Sequence, residues 1–218
     1  MLRIGDECAM ISSMSVENQI LEVMNESSTK NNRTCFTPKH FVNLASSDAV
    51  KKALERLVKS KKIRRVTRGI YDFPYGSKLT GILSPDITKV VEAIASRDKI
   101  RTQPTGAQAA NLLGLSEQVP VKVVYLTDGR SKKIIVGNVT IEFRATSIKH
   151  MNLAGSLLGL IVQAFKYIGE DKIDDSIINK IKKAFIQNPN EELLAKLDSV
   201  PTWIAEILKN NVVKESNV

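Results

Sequence analysis

Residues 47–73 constrain this chain more than any other stretch, because an amphipathic helix with a basic outer face runs almost directly into a basic two-stranded hairpin. In Ser47-Asp48-Ala49-Val50-Lys51-Lys52-Ala53-Leu54-Glu55-Arg56-Leu57-Val58-Lys59 the apolar residues Val50, Ala53, Leu54, Leu57 and Val58 recur at three- and four-residue intervals. That spacing gives one apolar stripe, with Lys51, Lys52, Arg56 and Lys59 turned away from it. Ile63-Arg64-Arg65-Val66, Thr67-Arg68-Gly69 and Ile70-Tyr71-Asp72-Phe73 then predict two short strands around a turn whose glycine is free to take positive φ. From Lys51 to Arg68 there are nine Lys or Arg against one acid, Glu55. Such a density suits a phosphate backbone, and the order of helix then hairpin is that of the reading end of a winged helix-turn-helix.

The residues upstream supply the rest of that motif. Ser15 precedes an apolar face made by Val16, Ile20, Val23 and Met24 and is expected to cap a first helix. Thr37-Pro38 predicts a helix start, with Phe36 and Phe41 as its hydrophobic staple, and this second helix must be short. Leu44-Ala45-Ser46-Ser47 is the tight turn, with Ser47 expected to cap the third helix. In this arrangement Ser46, Ser47, Lys51 and Lys52 face base edges or flanking phosphates, Arg56 and Lys59 touch the backbone, and Lys39 on the second helix joins them. Arg64, Arg65, Thr67 and Arg68 on the wing reach a neighbouring minor groove or phosphates. Asp48 is open to two roles, favouring the helix N-terminus or accepting a cytosine amino group.

Beyond the hairpin, Tyr75 to Gly81 looks like a connector, and Ser84-Pro85-Asp86 opens a helix with Ile87, Val90, Val91 and Ile94 inward. Gly106 to Gly114 predicts a helix closed by its last glycine. Three β-rich runs, Val121 to Thr127, Lys132 to Val136 and Val139 to Phe143, are separated by Asp128-Gly129 and Gly137-Asn138 and suggest a small antiparallel sheet. From Leu153 the pattern is helical: Leu153–Ile168, Asp175–Gln187, Glu191–Leu197 and Thr202–Asn211. The expected class is therefore α+β. Residues 1–14 form an extension, residues 15–76 a winged helix-turn-helix, and residues 77–218 a mixed domain with a helical C-terminal part.

The net charge of +9 favours a polyanionic partner, and its placement is uneven. Residues 1–76 hold 13 basic and 8 acidic side chains; the remainder holds 19 and 15. Cys8 and Cys35 lie far apart without metal-ligand spacing, which argues against a disulfide framework or metal site and suits a reducing cytoplasm. The start of the chain carries acids where a signal peptide needs an apolar core, and the apolar run from Leu153 to Phe165 is short of the ~20 residues of a membrane span. His40 and His150, each beside apolar or aliphatic residues, are read as having a structural or surface role. No cofactor motif is present, and the glycines have no phosphate-cradling spacing. An enzyme is not expected. A nuclease alternative can be built on Asp128 and Glu142 with Arg144, but the turn and the solvent face of an alternating strand explain those residues at less cost. A winged helix that binds RNA or protein is the other alternative.

Two stretches carry a family resemblance. Ala53-Leu54-Glu55-Arg56-Leu57 leads to Ile63-Arg64-Arg65-Val66-Thr67-Arg68-Gly69-Ile70-Tyr71, and Pro104-Thr105-Gly106-Ala107-Gln108-Ala109-Ala110-Asn111-Leu112-Leu113-Gly114-Leu115 continues through Ser116-Glu117-Gln118-Val119-Pro120 to Tyr125-Leu126-Thr127-Asp128-Gly129. Over roughly residues 15–210 the chain resembles the AbiEi-like antitoxins of type IV toxin–antitoxin (abortive infection) systems. The resemblance implies an N-terminal winged helix that binds the operon's own promoter. It also implies a C-terminal domain that opposes a nucleotidyltransferase-type toxin without a stable complex.

Overall fold

The computed structural model describes residues 14–28, 34–77, 81–188 and 196–213. The extension at 1–13, the Glu191–Ala195 part of the expected penultimate helix and the His150 side chain lie outside the described residues. The protein is α+β and divides into two compact units, Met1–Asp98 and Lys99–Val218.

In the first unit, α1 (Val16–Ser27) begins where expected, with the Ser15 hydroxyl accepting the Asn18 amide at 3.3 Å. Strand β1 (Cys35–Phe36) leads into a single 3-10 turn, Pro38–Phe41, which is the short second helix of the motif. Helix α2 (Ser47–Lys59) follows, then β2 (Arg64–Thr67) and β3 (Ile70–Asp72). The three strands are antiparallel in the order β1-β3-β2. Helix, strand, helix, helix, strand, strand with the last strand in the middle is winged helix-turn-helix topology. Ile20, Met24, Phe36, Phe41, Val50, Ala53, Leu54, Leu57, Ile63 and Tyr71 form one buried cluster beneath it. The apolar stripe of α2 thus fixes which side of that helix is left to solvent.

Two expectations shift here. Ser46, not Ser47, caps α2: Ser46 is extended at ψ 151° and its hydroxyl accepts the Ala49 amide at 3.4 Å, leaving Ser47 as the first helical residue. Two consecutive serines are equally able to cap, and burying Val50 and Leu54 selects the register. The first unit also runs past Gly76. After a minimal hairpin of β4 (Gly76–Ser77) and β5 (Gly81–Ile82), α3 (Ile87–Asp98) is capped by Asp86, whose carboxylate accepts the Thr88 amide at 2.9 Å. This helix buries Val90, Val91, Ala93 and Ile94 and contacts β1 and β3, so it belongs with the winged helix. A three-stranded sheet this small needs a second element to cover its apolar surface.

The second unit holds β6 (Thr102–Pro104), α4 (Gly106–Leu112), β7 (Lys122–Thr127), β8 (Lys132–Val136) and β9 (Val139–Ala145). Its sheet is mixed, in the order β6-β7-β9-β8, rather than a purely antiparallel three-stranded one. The β8–β9 hairpin closes at Gly137, φ +56°, but β7 runs parallel to β9 and gains β6 on its other side. Val123 beside Ile141 and Tyr125 beside Phe143 are buried register partners, which makes β7 and β9 the central pair. Strand β8 is left at the edge with Ile135 72% exposed.

Helix α5 (Leu157–Ile168) starts later than the apolar run suggests, at the Ser156 cap, because Gly155 takes φ +81°. A Cβ on Gly159 would lie 2.1 Å from the Leu153 carbonyl oxygen, so only glycine fits that close approach. With α6 (Asp175–Gln187) and α7 (Thr202–Leu208), α5 builds a core from Leu158, Ile161, Phe165, Ile181, Ile204 and Leu208. Among the described residues no helix is long and apolar enough to cross a membrane.

Candidate nucleic-acid interface

The basic residues of the winged helix separate into two groups once their partners are known. Arg64 and Asp72 are register partners across β2 and β3. The Arg64 guanidinium donates Nε to Asp72 Oδ1 at 2.9 Å, Nη2 to Oδ2, and Nη1 to the Leu83 carbonyl at 3.1 Å. Asp72 is 4% exposed, so this fork is a partly buried bidentate pair that ties the wing to the chain beyond it. Arg56 reaches back to α1, donating to Glu17 Oε1 at 3.1 Å across the helix pair. Lys51 sits 3.4 Å from Asp48 one turn earlier, a solvent-exposed pair worth little. The sequence assigns all three cations to DNA; in the fold Arg64 is held in the partly buried fork, and Arg56, 70% exposed, is paired with Glu17.

The second group is uncommitted. Among the described residues no carboxylate pairs with Lys39, Lys52, Lys59, Lys61, Lys62, Arg65 or Arg68, and all seven are exposed. Lys52 and Lys59 are seven residues apart on the solvent face of α2, with Asp48 and Glu55 on the same stripe. Arg65 and Arg68 stand on the wing. Thr67 is half-buried beside a bulge that shifts the register after Arg65, while Ser46 and Ser47 are exposed at the start of α2, the Ser46 oxygen serving as cap. Arg68 and Gly69 form a two-residue turn in which Gly69 takes φ +69°.

Two neighbours shape this surface that sequence reasoning missed. Arg97, in the last turn of α3, donates Nη1 to the Arg68 carbonyl at the tip of the wing, while its Nε and Nη2 bind Asp98 at 2.7 and 3.0 Å. Nothing in the local pattern around residue 97 signals a contact 29 residues back in the chain. Lys61 ends α2 in the left-handed region, φ +59°, with the Lys62 amide bonding the Leu57 carbonyl at 3.0 Å. A glycine usually marks such a stop, and its absence hid the turn.

Two other groups are structural. His40 Nδ1 accepts the Thr37 amide at 3.0 Å and so closes the start of the 3-10 turn. Cys35 is buried in β1, and burial, reinforced by Asp72 and Asp86, pushes its thiol up to about 12. A thiol held protonated in this way is a poor nucleophile and metal ligand.

Comparison with known proteins assigns the family. DUF6088, a family of unknown function, matches residues 19–193. The chain belongs to that family. No curated protein matches it. The matched span takes in most of the winged helix and most of the second unit, so in this DUF6088 protein the family pattern extends into both compact units.

The acids of the nuclease alternative are kept apart in this DUF6088 protein. Asp128 accepts the Arg101 amide at 2.8 Å and its Nε at 2.9 Å, and those bonds hold its carboxyl below the usual carboxylate range. Glu142 is bridged by Arg144 at 2.9 Å and Lys122 at 2.8 Å, which lower its pKa to about 2. In the parallel register Glu142 faces Val124, four residues before Asp128, which itself lies beyond the end of β7, so the two acids are not register partners. Each carboxylate has its own cation, and the described residues contain no group of three or more His, Cys, Asp and Glu able to hold a metal. The second unit also carries a shallow groove of about 420 Å³ with Leu113, Leu157 and Leu160 on its lining and Lys180 and Lys183 beside them.

Proposed function

We propose that the first unit reads duplex DNA and that the protein is a cytoplasmic autoregulator of its own promoter, acting as the antitoxin of a type IV toxin–antitoxin system. One observation carries the DNA reading. The two elements that a winged helix presents to a duplex, the solvent face of α2 and the β2–β3 wing, are where the uncommitted cations Lys52, Lys59, Arg65 and Arg68 lie. In this reading the N-terminal half of α2 enters the major groove with Ser47, Lys51 and Lys52, and Arg65 and Arg68 bind the backbone or minor groove alongside. The antitoxin role rests on the resemblance through residues 104–129, and its partner is a toxin of nucleotidyltransferase type opposed without a stable complex.

The test is a gel shift of the full chain on duplex from just upstream of its own gene, against scrambled duplex, at physiological salt. A preference of about 10³-fold or more is expected of a specific regulator. Equal binding of both duplexes overturns autoregulation, and preference for structured RNA moves the winged helix to the RNA-binding alternative. Relief of toxicity on co-expression with the neighbouring gene tests the antitoxin role.

A further inference from the structure

We infer that Arg97 is a positioning residue of the wing: it pins the Arg68 carbonyl and so orders the tip before nucleic acid arrives. This inference rests on the DNA reading for its purpose, but its structural half stands without DNA. Strand β2 is an edge strand of the three-stranded sheet, and the tip that joins it to β3 is a two-residue turn through a glycine, where conformational freedom is greatest. Arg97 removes that freedom from one side. Its Nη1 takes the Arg68 carbonyl, and its aliphatic stem runs beneath the turn, with Cδ 3.8 Å from where a Cβ on Gly69 would be. Asp98 holds the other edge of the guanidinium through Nε and Nη2, which fixes the plane of the fork and aims Nη1 at the carbonyl.

The arrangement differs from that of a phosphate ligand. Three of the five N–H donors of Arg97 are in use, its charge faces Asp98 at 2.7 Å, and its side chain is 27% exposed. Pinning the carbonyl between Arg68 and Gly69 sets the direction in which the Arg68 side chain leaves the tip, and Arg65 lies three residues back, on β2. A tip already ordered spares the complex that cost at the moment of binding.

The experiment compares the full-length wild type with Arg97→Ala and Arg97→Lys, using amide exchange of residues 67–70 in the free protein and anisotropy titrations on duplex DNA at several salt concentrations. In Arg97→Ala the tip amides exchange faster. Affinity falls about tenfold, roughly the cost of ordering one backbone residue, and the slope of log K against log salt stays as in wild type because the phosphate contacts are still made in the complex. Arg97→Lys keeps a donor at the carbonyl and recovers part of both effects. Unchanged tip exchange in Arg97→Ala overturns the inference, and so does a slope reduced by about one, which would make Arg97 a direct phosphate ligand. If wild type binds no duplex, the DNA reading fails and the positioning purpose with it, while the exchange comparison still decides whether Arg97 orders the tip.

Discussion

Replacing Arg65 and Arg68 together with alanine tests the division between engaged and uncommitted cations. Both side chains are exposed and make no ion pair among the described residues, so their loss is expected to change folding stability by less than about 0.5 kcal/mol. Each phosphate neutralised contributes about 0.9 to the slope of log K against log salt, so the pair should flatten the slope by about 1.8. Between 50 and 200 mM salt that makes the wild type lose roughly twelvefold more affinity than the double variant. The assay is fluorescence anisotropy on a duplex of unrelated sequence, where phosphate contacts supply nearly all the binding. Arg56→Ala is the control: it removes one positive charge from a position engaged with Glu17 at 3.1 Å and should leave the slope close to that of wild type. A folded Arg65→Ala, Arg68→Ala protein with the wild-type slope would refute the argument, as would an Arg56→Ala variant that flattens it by about 0.9, the value for one phosphate contact.

Arg64→Ala should behave in the opposite way, destabilising the first unit by roughly 2–3 kcal/mol in urea unfolding, because Asp72, 4% exposed, is left without its cation; a loss below about 0.5 kcal/mol would mean that the pair is not structural. Cys35 should resist iodoacetamide in the native Cys8→Ser protein at pH 8 and react once unfolded. Its folded pKa, about 12, lies above the ordinary 9.0, so the stability linked to it is present below pH 9 and is lost as pH rises towards 12. Prompt labelling of the native protein would contradict that burial. For Glu142 the sign reverses: the carboxyl sits at about 2 rather than 4.5, so its contribution is present above pH 4.5 and disappears as pH falls towards 2. Glu142→Gln should therefore narrow the stability difference between pH 5 and pH 2.5, and an unchanged difference would show that the carboxylate is not held by Arg144 and Lys122.

Much of the fold was legible because local chemistry and burial agree. The Ser15 cap, the stripe of α2, the short second helix after Pro38 and the left-handed Gly69 each depend on residues close together in the chain, and each forms where the spacing predicts it. The disagreements occur where distant segments decide. Asp128-Gly129 suggests a hairpin between β7 and β8, but Asp128 is engaged by Arg101 and Gly129 lies against Ile100, where a Cβ would come within 2.6 Å of the Ile100 Cγ2. The buried pairs Val123 with Ile141 and Tyr125 with Phe143 then make the parallel alignment of β7 and β9 the one that fills the core. Likewise the apolar face of α3 gives its helical period from sequence, while its neighbours β1 and β3 are found only by folding.

The site was less legible than the fold because charge is counted locally and neutralised at a distance. Nine cations in eighteen residues read from sequence as one surface, yet two of the DNA-facing assignments depend on acids outside that segment, Glu17 on α1 and Asp72 on the central strand. Asp72 was within reach of inference, since a two-residue turn at Arg68-Gly69 implies a register close to the one that brings it opposite Arg64. Glu17 was not, because it lies 39 residues from Arg56 and meets it only through helix packing. Arg97 shows the same limit from the other side, a cation absent from the count that nevertheless holds the wing tip. For a winged helix the useful quantity is therefore the set of cations left after tertiary pairing. In this chain that set, on α2 and the wing, retains Lys52, Lys59, Arg65 and Arg68, enough for a phosphate footprint and few enough for each to be tested by its own slope.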